Sequence, residues 1–208
     1  MARPALDESR VREFRDRLCE AALRLFAERG FEAVTLRALA AELDCSYATP
    51  YRYFSGKEEI FAALRDLCFR RFAEFLDERT EGITDPRERC RVLALSYLAF
   101  AREQPHAFSI MFELEQPDPD AYPEFRETAD ATWEVFKQAT ADLIATGKID
   151  AKVEEIAHLS WASMHGIATL HAAGRLIMGM SADEIAGPMI DAIMAAYATT
   201  KTPKGQTS

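Results

Sequence analysis

Apolar residues recur at three- and four-residue intervals along nearly the whole chain, and no stretch alternates apolar with polar as a half-buried strand does. Val11, Phe14, Leu18, Ala21 and Leu25 stand at i, i+3, i+7, i+10 and i+14, one face of a helix. Gly30 follows as a left-handed C-cap. Thr35 caps a short second helix carrying Leu36, Leu39, Ala40 and Leu43, which Asp44-Cys45-Ser46 breaks. A third short helix is expected to run to about Phe54, with Phe54 in the core beside Phe26, Leu39 and Leu43. Ser55-Gly56-Lys57-Glu58 reads as a capping box, Glu58 standing three residues after Ser55, and it opens a long helix bearing Ile60, Phe61, Leu64, Leu67, Phe72 and Phe75. Such a pattern is compatible only with packed helices.

Beyond Gly82 the rhythm continues. Asp85-Pro86 signals a helix start. Val92–Ala101 is apolar on nearly all sides, which predicts a buried helix. Gln104-Pro105-His106 breaks it, a short segment with Phe108, Met111 and Phe112 follows, and Gln116-Pro117-Asp118-Pro119 reads as a loop. Three further helices are predicted over about 123–146, 151–173 and 182–199, the last opened by the capping box Ser181-Ala182-Asp183-Glu184 and interrupted by Gly187-Pro188. The expectation is an all-α fold of about nine helices, with domains at 1–58 and 59–200 and a polar, disordered tail over 201–208.

Charge narrows the function. The chain carries a net charge of −9, which by itself disfavours phosphate backbones. Residues 1–58, however, hold ten Lys+Arg against ten Asp+Glu, and all nine excess negatives fall in 59–208. Arg3, Arg10, Arg12, Arg15 and Arg17 crowd the start, interleaved with Asp7, Glu8, Glu13 and Asp16. That is either a local phosphate-facing patch or a salt-bridged helix surface. The cysteines at 19, 45, 68 and 90 lack C-x-x-C spacing, so no zinc or dithiol redox site is expected, and they read as reduced thiols. Charges stand within Met1–Asp16 where a signal peptide needs an apolar core, and no apolar run approaches the roughly 18 residues of a membrane span. The expected location is the cytoplasm.

Residues 35–57 carry the chemistry. Two short helices separated by a three-residue turn and packed on a longer one follow the helix-turn-helix plan. The second offers Tyr47, Ala48, Thr49, Tyr51 and Tyr53. Ala48 admits close approach to a groove and can meet a thymine methyl, while the hydroxyls serve bases or phosphates. Lys57 stands at the next helix N-terminus, where free N–H groups already favour an anion. Pro50 leaves two helix starts open, at a Ser46 cap or, because a residue before proline avoids the α region, at a Thr49 cap. The Ser46 cap gives the longer helix.

The segment from Ala21 to Leu64 resembles the tetracycline-repressor-like (TetR) family of bacterial transcriptional regulators. The matching residues are Ala22, Leu25-Phe26, Gly30-Phe31, Val34-Thr35-Leu36-Arg37, Leu39-Ala40, Ser46, Thr49, Tyr51-Arg52-Tyr53-Phe54, Lys57-Glu58-Glu59 and Ile60. The resemblance implies a three-helix DNA-binding module with phosphate or base contacts at Thr35, Arg37, Thr49, Tyr51, Tyr53 and Lys57. Tyr47 and Ala48 fall on the variable positions that tune operator choice. Two residues depart from the pattern: Asp44 where the turn usually has Gly, and Pro50 where an aliphatic residue is common. The implied C-terminal domain dimerises and holds a ligand. Trp161-Ala162-Ser163-Met164-His165-Gly166 resembles the subgroup named for Trp, His and Gly.

Within that domain the density of aromatics and Met makes Tyr97, His106, Phe108, Met111, Phe112, Trp133 and Phe136, with His165, the candidates for an effector pocket. Ile156, Trp161, Met164, Ile167, Ile185, Met189, Ile193 and Tyr197 are the candidates for a dimer face. Trp161 and His165 are i, i+4 neighbours and fit either role. No cofactor, metal set or nucleophile–base–orienter triad stands at usable spacing, so an enzyme is not expected. The expected function is an effector-responsive repressor, acting as a homodimer on a near-palindromic operator and released by a small apolar molecule. The rival is an all-α ligand-binding protein or enzyme with no DNA role.

Overall fold

The computed structural model describes residues 8–112, 121–176 and 178–199. Among them run eight α-helices: α1 Glu8–Arg29, α2 Leu36–Glu42, α3 Lys57–Thr80, α4 Pro86–Glu103, α5 Pro105–Phe112, α6 Pro123–Ala145, α7 Val153–Ala172 and α8 Ala182–Ala196. Single 3-10 turns stand at Phe31–Ala33 and Pro50–Arg52. Pairing of extended backbone among the described residues is confined to one isolated antiparallel bridge, Ile149 to Ala198. The all-α expectation holds. The expected third short helix is the one that does not form. The loop expected at 116–119 and the tail at 201–208 lie outside the described residues.

The described residues pack as two compact units. One runs to Ala73 and resumes over Gln104–Ala131; the other takes Glu74–Glu103 and continues from Thr132. The first is larger than a three-helix head because α5 packs on α1, with Phe26 edge-on to His106 at 6.3 Å. Arg65, 2% exposed, is part of that core, its Nε donating to the Ile110 carbonyl at 3.0 Å. Burial pushes its pKa down to about 10. Leu18, Ala21, Ala22, Leu25, Val34, Leu39, Phe54, Ile60 and Leu64 complete the interior.

In the second unit α4 packs against both α7 and α8. Its Leu93, Ala94, Tyr97, Leu98, Phe100 and Ala101 are buried, as a helix apolar all round must be. The Ser181 box closes as expected: Ser181 Oγ accepts from Glu184 N, and Ser181 N donates to Glu184 Oε2 at 2.7 Å. Pro188 sits one residue after buried Gly187 inside α8.

Candidate nucleic-acid interface and ligand cavity

Thr35, in extended backbone, caps α2 by accepting from Ala38 N at 3.1 Å. Leu36, Leu39 and Ala40 turn inward, leaving Arg37 exposed in the first turn. The helix ends in paired 6→1 and 5→2 bonds, Cys45 N to Ala40 O at 2.9 Å and Asp44 N to Ala41 O at 3.2 Å. That closure needs a left-handed residue, and Asp44 supplies it at φ 47° without being glycine. Gly30 also takes positive φ, but at 79° with ψ −178°, a conformation open essentially to glycine alone and distinct from the expected left-handed cap.

The reading element is shorter than expected. Thr49 N bonds Ser46 O at 2.7 Å, Arg52 N bonds Thr49 O at 3.0 Å and Tyr53 N bonds Pro50 O at 2.9 Å, all three-residue closures. Pro50 has no N–H to give Ser46, so an α ladder loses its first rung and the tighter turn takes over. Thr49 keeps helical angles, φ −68° and ψ −50°, despite preceding proline. The 3-10 helix itself spans Pro50–Arg52 with Thr49 at its N-cap, the shorter of the two expected starts, a turn over 47–49 leads into it, and it is not an α-helix.

This turn presents Tyr47 and Tyr51 outward, 57% and 49% exposed, with hydroxyls 3.1 Å apart. Ala48 is exposed between them and Thr49 half-buried. Tyr53 turns partly inward, its ring 4.7 Å from Phe14. Arg52, which sequence reasoning passed over although it lies inside the quoted motif, is exposed on the same turn. Lys57 opens α3 and is engaged in the free protein: Nζ lies 3.2 Å from Glu32 Oε2 and 3.7 Å above the Phe31 ring.

A polar knot holds the turn. Arg15 Nη1 donates to Tyr53 O at 2.9 Å and to Glu59 Oε1 at 3.2 Å, and its guanidinium lies 4.6 Å over the Phe54 ring. Glu59 Oε2 accepts from Ser55 N and Ser55 Oγ, both at 2.8 Å. The expected box through Glu58 is thus corrected by one residue. Gly56 O receives Ile60 N, so Gly56 is the cap and Glu59 the third helical residue. Burial alone would raise the Glu59 pKa, but the Ser55 and Arg15 bonds bring it below the usual carboxylate range.

In the second unit a small cavity of about 30 Å³ lies among α4, α6, α7 and Met194 of α8. Tyr97 and Phe136 line it, as do Ile156, Trp161 and Met164 from the expected dimer set. His165 stands behind, Nδ1 2.8 Å from the Tyr97 hydroxyl. Trp133 joins the aromatic cluster, 5.9 Å edge-to-face from Trp161, without lining the space. His106, Phe108, Met111 and Phe112 belong to the first unit, where Phe108 and Met111 are buried and Phe112 meets Phe69 at 5.7 Å. Phe108 and Met111 are core there because α5 presents its apolar side to its own unit, while His106 stays exposed.

Of the expected dimer face, Ile156, Met164 and Ile167 are buried inside the second unit. Ile185, Ile193 and Tyr197 are half-buried, the last bonding Glu155 at 2.7 Å, and Trp161 and Met189 are each 38% exposed. The outer stripe of α7 is instead Leu159, Ala162, Gly166 and Leu170, the same periodicity taken in another phase. No three of His, Cys, Asp and Glu among the described residues gather to hold a metal. No described helix is long and apolar enough to cross a membrane.

A family model described as "Bacterial regulatory proteins, tetR family" matches residues 18–64, and one described as "Tetracyclin repressor-like, C-terminal domain" matches residues 90–193, half of the chain. The chain belongs to the tetR family. Among curated relatives of this tetR-family chain, an HTH-type transcriptional regulator of Mycobacterium tuberculosis is 30% identical over 102 residues, 49% of the chain and 50% of the relative. The chain thus spans about half the length of that relative. IcaR of Staphylococcus epidermidis, named a negative transcriptional regulator of a biofilm operon, is 31% identical over 62 residues, 30% of the chain and 34% of IcaR. A solved protein of unknown function from Rhodococcus sp. RHA1 shares the fold at a TM-score of 0.79 and 27% identity, covering 89% of this chain and 95% of that one.

Proposed function

We propose that this tetR-family protein is a cytoplasmic transcriptional repressor that binds operator DNA as a homodimer and is released by a small apolar effector. The observation that carries the reading is the exposure of Tyr47, Ala48 and Tyr51 on a turn whose other side, Pro50 and Phe54, is buried. Two aromatic hydroxyls standing out of a fixed support have the reach of groove-reading side chains. In this reading residues 1–58 form the DNA-binding head, with Thr35, Arg37, Thr49, Tyr53 and Lys57 on phosphates or bases. Residues 59–200 dimerise and hold the effector. The head is neutral, so the acidic remainder need not approach phosphate. The exposed stripes of α7 and α8 supply the apolar surface a twofold four-helix interface requires.

The cavity is the effector site in this reading. Ligand pockets of roughly 300–1,000 Å³ are usual, so at about 30 Å³ it is closed, and an effector enters by displacing half-exposed Trp161. An effector that prefers the opened form shifts the population away from the operator-binding state. Trp161, His165 and Gly166 on α7 support the finer assignment to the Trp-His-Gly subgroup.

The test is gel-shift binding to DNA from upstream of the protein's own gene across a salt series. Tyr51→Ala and Lys57→Ala weaken binding, and Lys57→Ala lowers the salt slope by about one. Full, salt-insensitive affinity in both variants overturns the assignment.

A further inference from the structure

The cavity's polar groups are nearly all committed, and this constrains what it can accept. Cys90 Sγ donates to the Ala139 carbonyl at 3.2 Å, and Thr140 Oγ1 to the Phe136 carbonyl at 2.9 Å. Burial raises the Tyr97 pKa, and a hydrogen bond from the Trp161 indole N–H works against that rise. Indole N–H only donates, so Tyr97 accepts from Trp161, and its oxygen is also engaged by His165 Nδ1 at 2.8 Å. Ser160 alone among the polar lining residues makes no side-chain hydrogen bond within the described residues. No Asp, Glu, Lys or Arg lines the space.

We propose that this cavity selects an uncharged, largely apolar ligand bearing one polar atom, and that Ser160 is the residue that reads it. The inference rests on the effector reading of the cavity. A carboxylate entering here loses its hydration and meets no cation, and an ammonium meets no carboxylate. Aromatic faces attract cations, but in each of these pairs one ring's face is already met by the other's edge: Trp133 with Trp161 at 68° and Tyr97 with His165 at 66°. A second polar atom on the ligand finds no free partner, whereas a single hydroxyl finds Ser160.

The experiment measures thermal melting and calorimetric binding of the full-length protein with toluene, p-cresol, p-toluate and choline. The expected order is p-cresol above toluene, with p-toluate and choline inert. Ser160→Ala reduces the p-cresol preference over toluene by about two- to tenfold and leaves the unliganded melting temperature and toluene binding in place. Ser160→Thr keeps a hydroxyl and retains the preference. Equal binding of p-toluate or choline, or an unchanged p-cresol preference in Ser160→Ala, overturns the proposal while leaving the cavity as the effector site. Absence of binding by all four probes overturns the effector reading of the cavity itself, with operator binding in the gel shift standing apart from both.

Discussion

Lys57 is held before any phosphate reaches it. Glu32 pairs with it and Phe31 supports it from beneath, so in the proposed operator complex DNA competes with a carboxylate for the same ammonium. Removing that competitor strengthens binding: Glu32→Gln raises operator affinity by about two- to fivefold, since an exposed pair is worth roughly 0.2–1 kcal/mol. A titration at fixed low salt checks this, and an unchanged or weaker affinity counts against a phosphate role for Lys57. Glu59 gives a pH signature. Its folded pKa lies below the unfolded value near 4.5, so its bonds stabilise the fold above that pH and are lost as acid protonates it. Melting temperatures of wild type and Glu59→Gln differ at pH 7 and converge toward pH 3. At this scale Thr35 is readable as a cap because its side chain acts on its own backbone. Glu59 was misread as Glu58 because one residue of helix phase depends on Arg15, forty-four positions away.

Elements were legible where burial acts on all sides. The apolar run in α4 announced its own interior position, and the Ser181 box could be read from four residues. That box gives a direct expectation: Ser181→Ala costs about 1 kcal/mol in urea unfolding, through lost capping bonds, without weakening operator binding. The turn at Ser46–Phe54 was harder. Its residues fit a helix by spacing, and the outcome turned on one missing N–H at Pro50 competing with the packing of its buried ring. The likeness to family sequences pointed to the longer helix because the aliphatic residue common there still donates.

For the molecule as a whole, fold class and family were legible, while the inner and outer phases of α7 were not. Ile156, Met164 and Ile167 lie on one side of that helix and Leu159 and Leu170 on the other, and only the positions of α4 and α8 decide which is core. The outward stripe predicts the assembly. Leu159→Arg combined with Leu170→Arg yields a monomer by sedimentation equilibrium, with unchanged helical circular dichroism and operator affinity reduced by more than tenfold, because paired heads no longer bind one site together. A dimer that survives both substitutions removes this face from consideration.

Trp133 and Trp161 are the only two tryptophans in the chain, and they face each other across 5.9 Å beside the cavity. All indole emission therefore originates in one neighbourhood of the second unit, while residues 1–58, being free of tryptophan, stay dark. Fluorescence excited at the indole band follows the occupant of that neighbourhood directly. Titrating the operator against the same signal then separates an event at residues 1–58 from one that reaches the cavity.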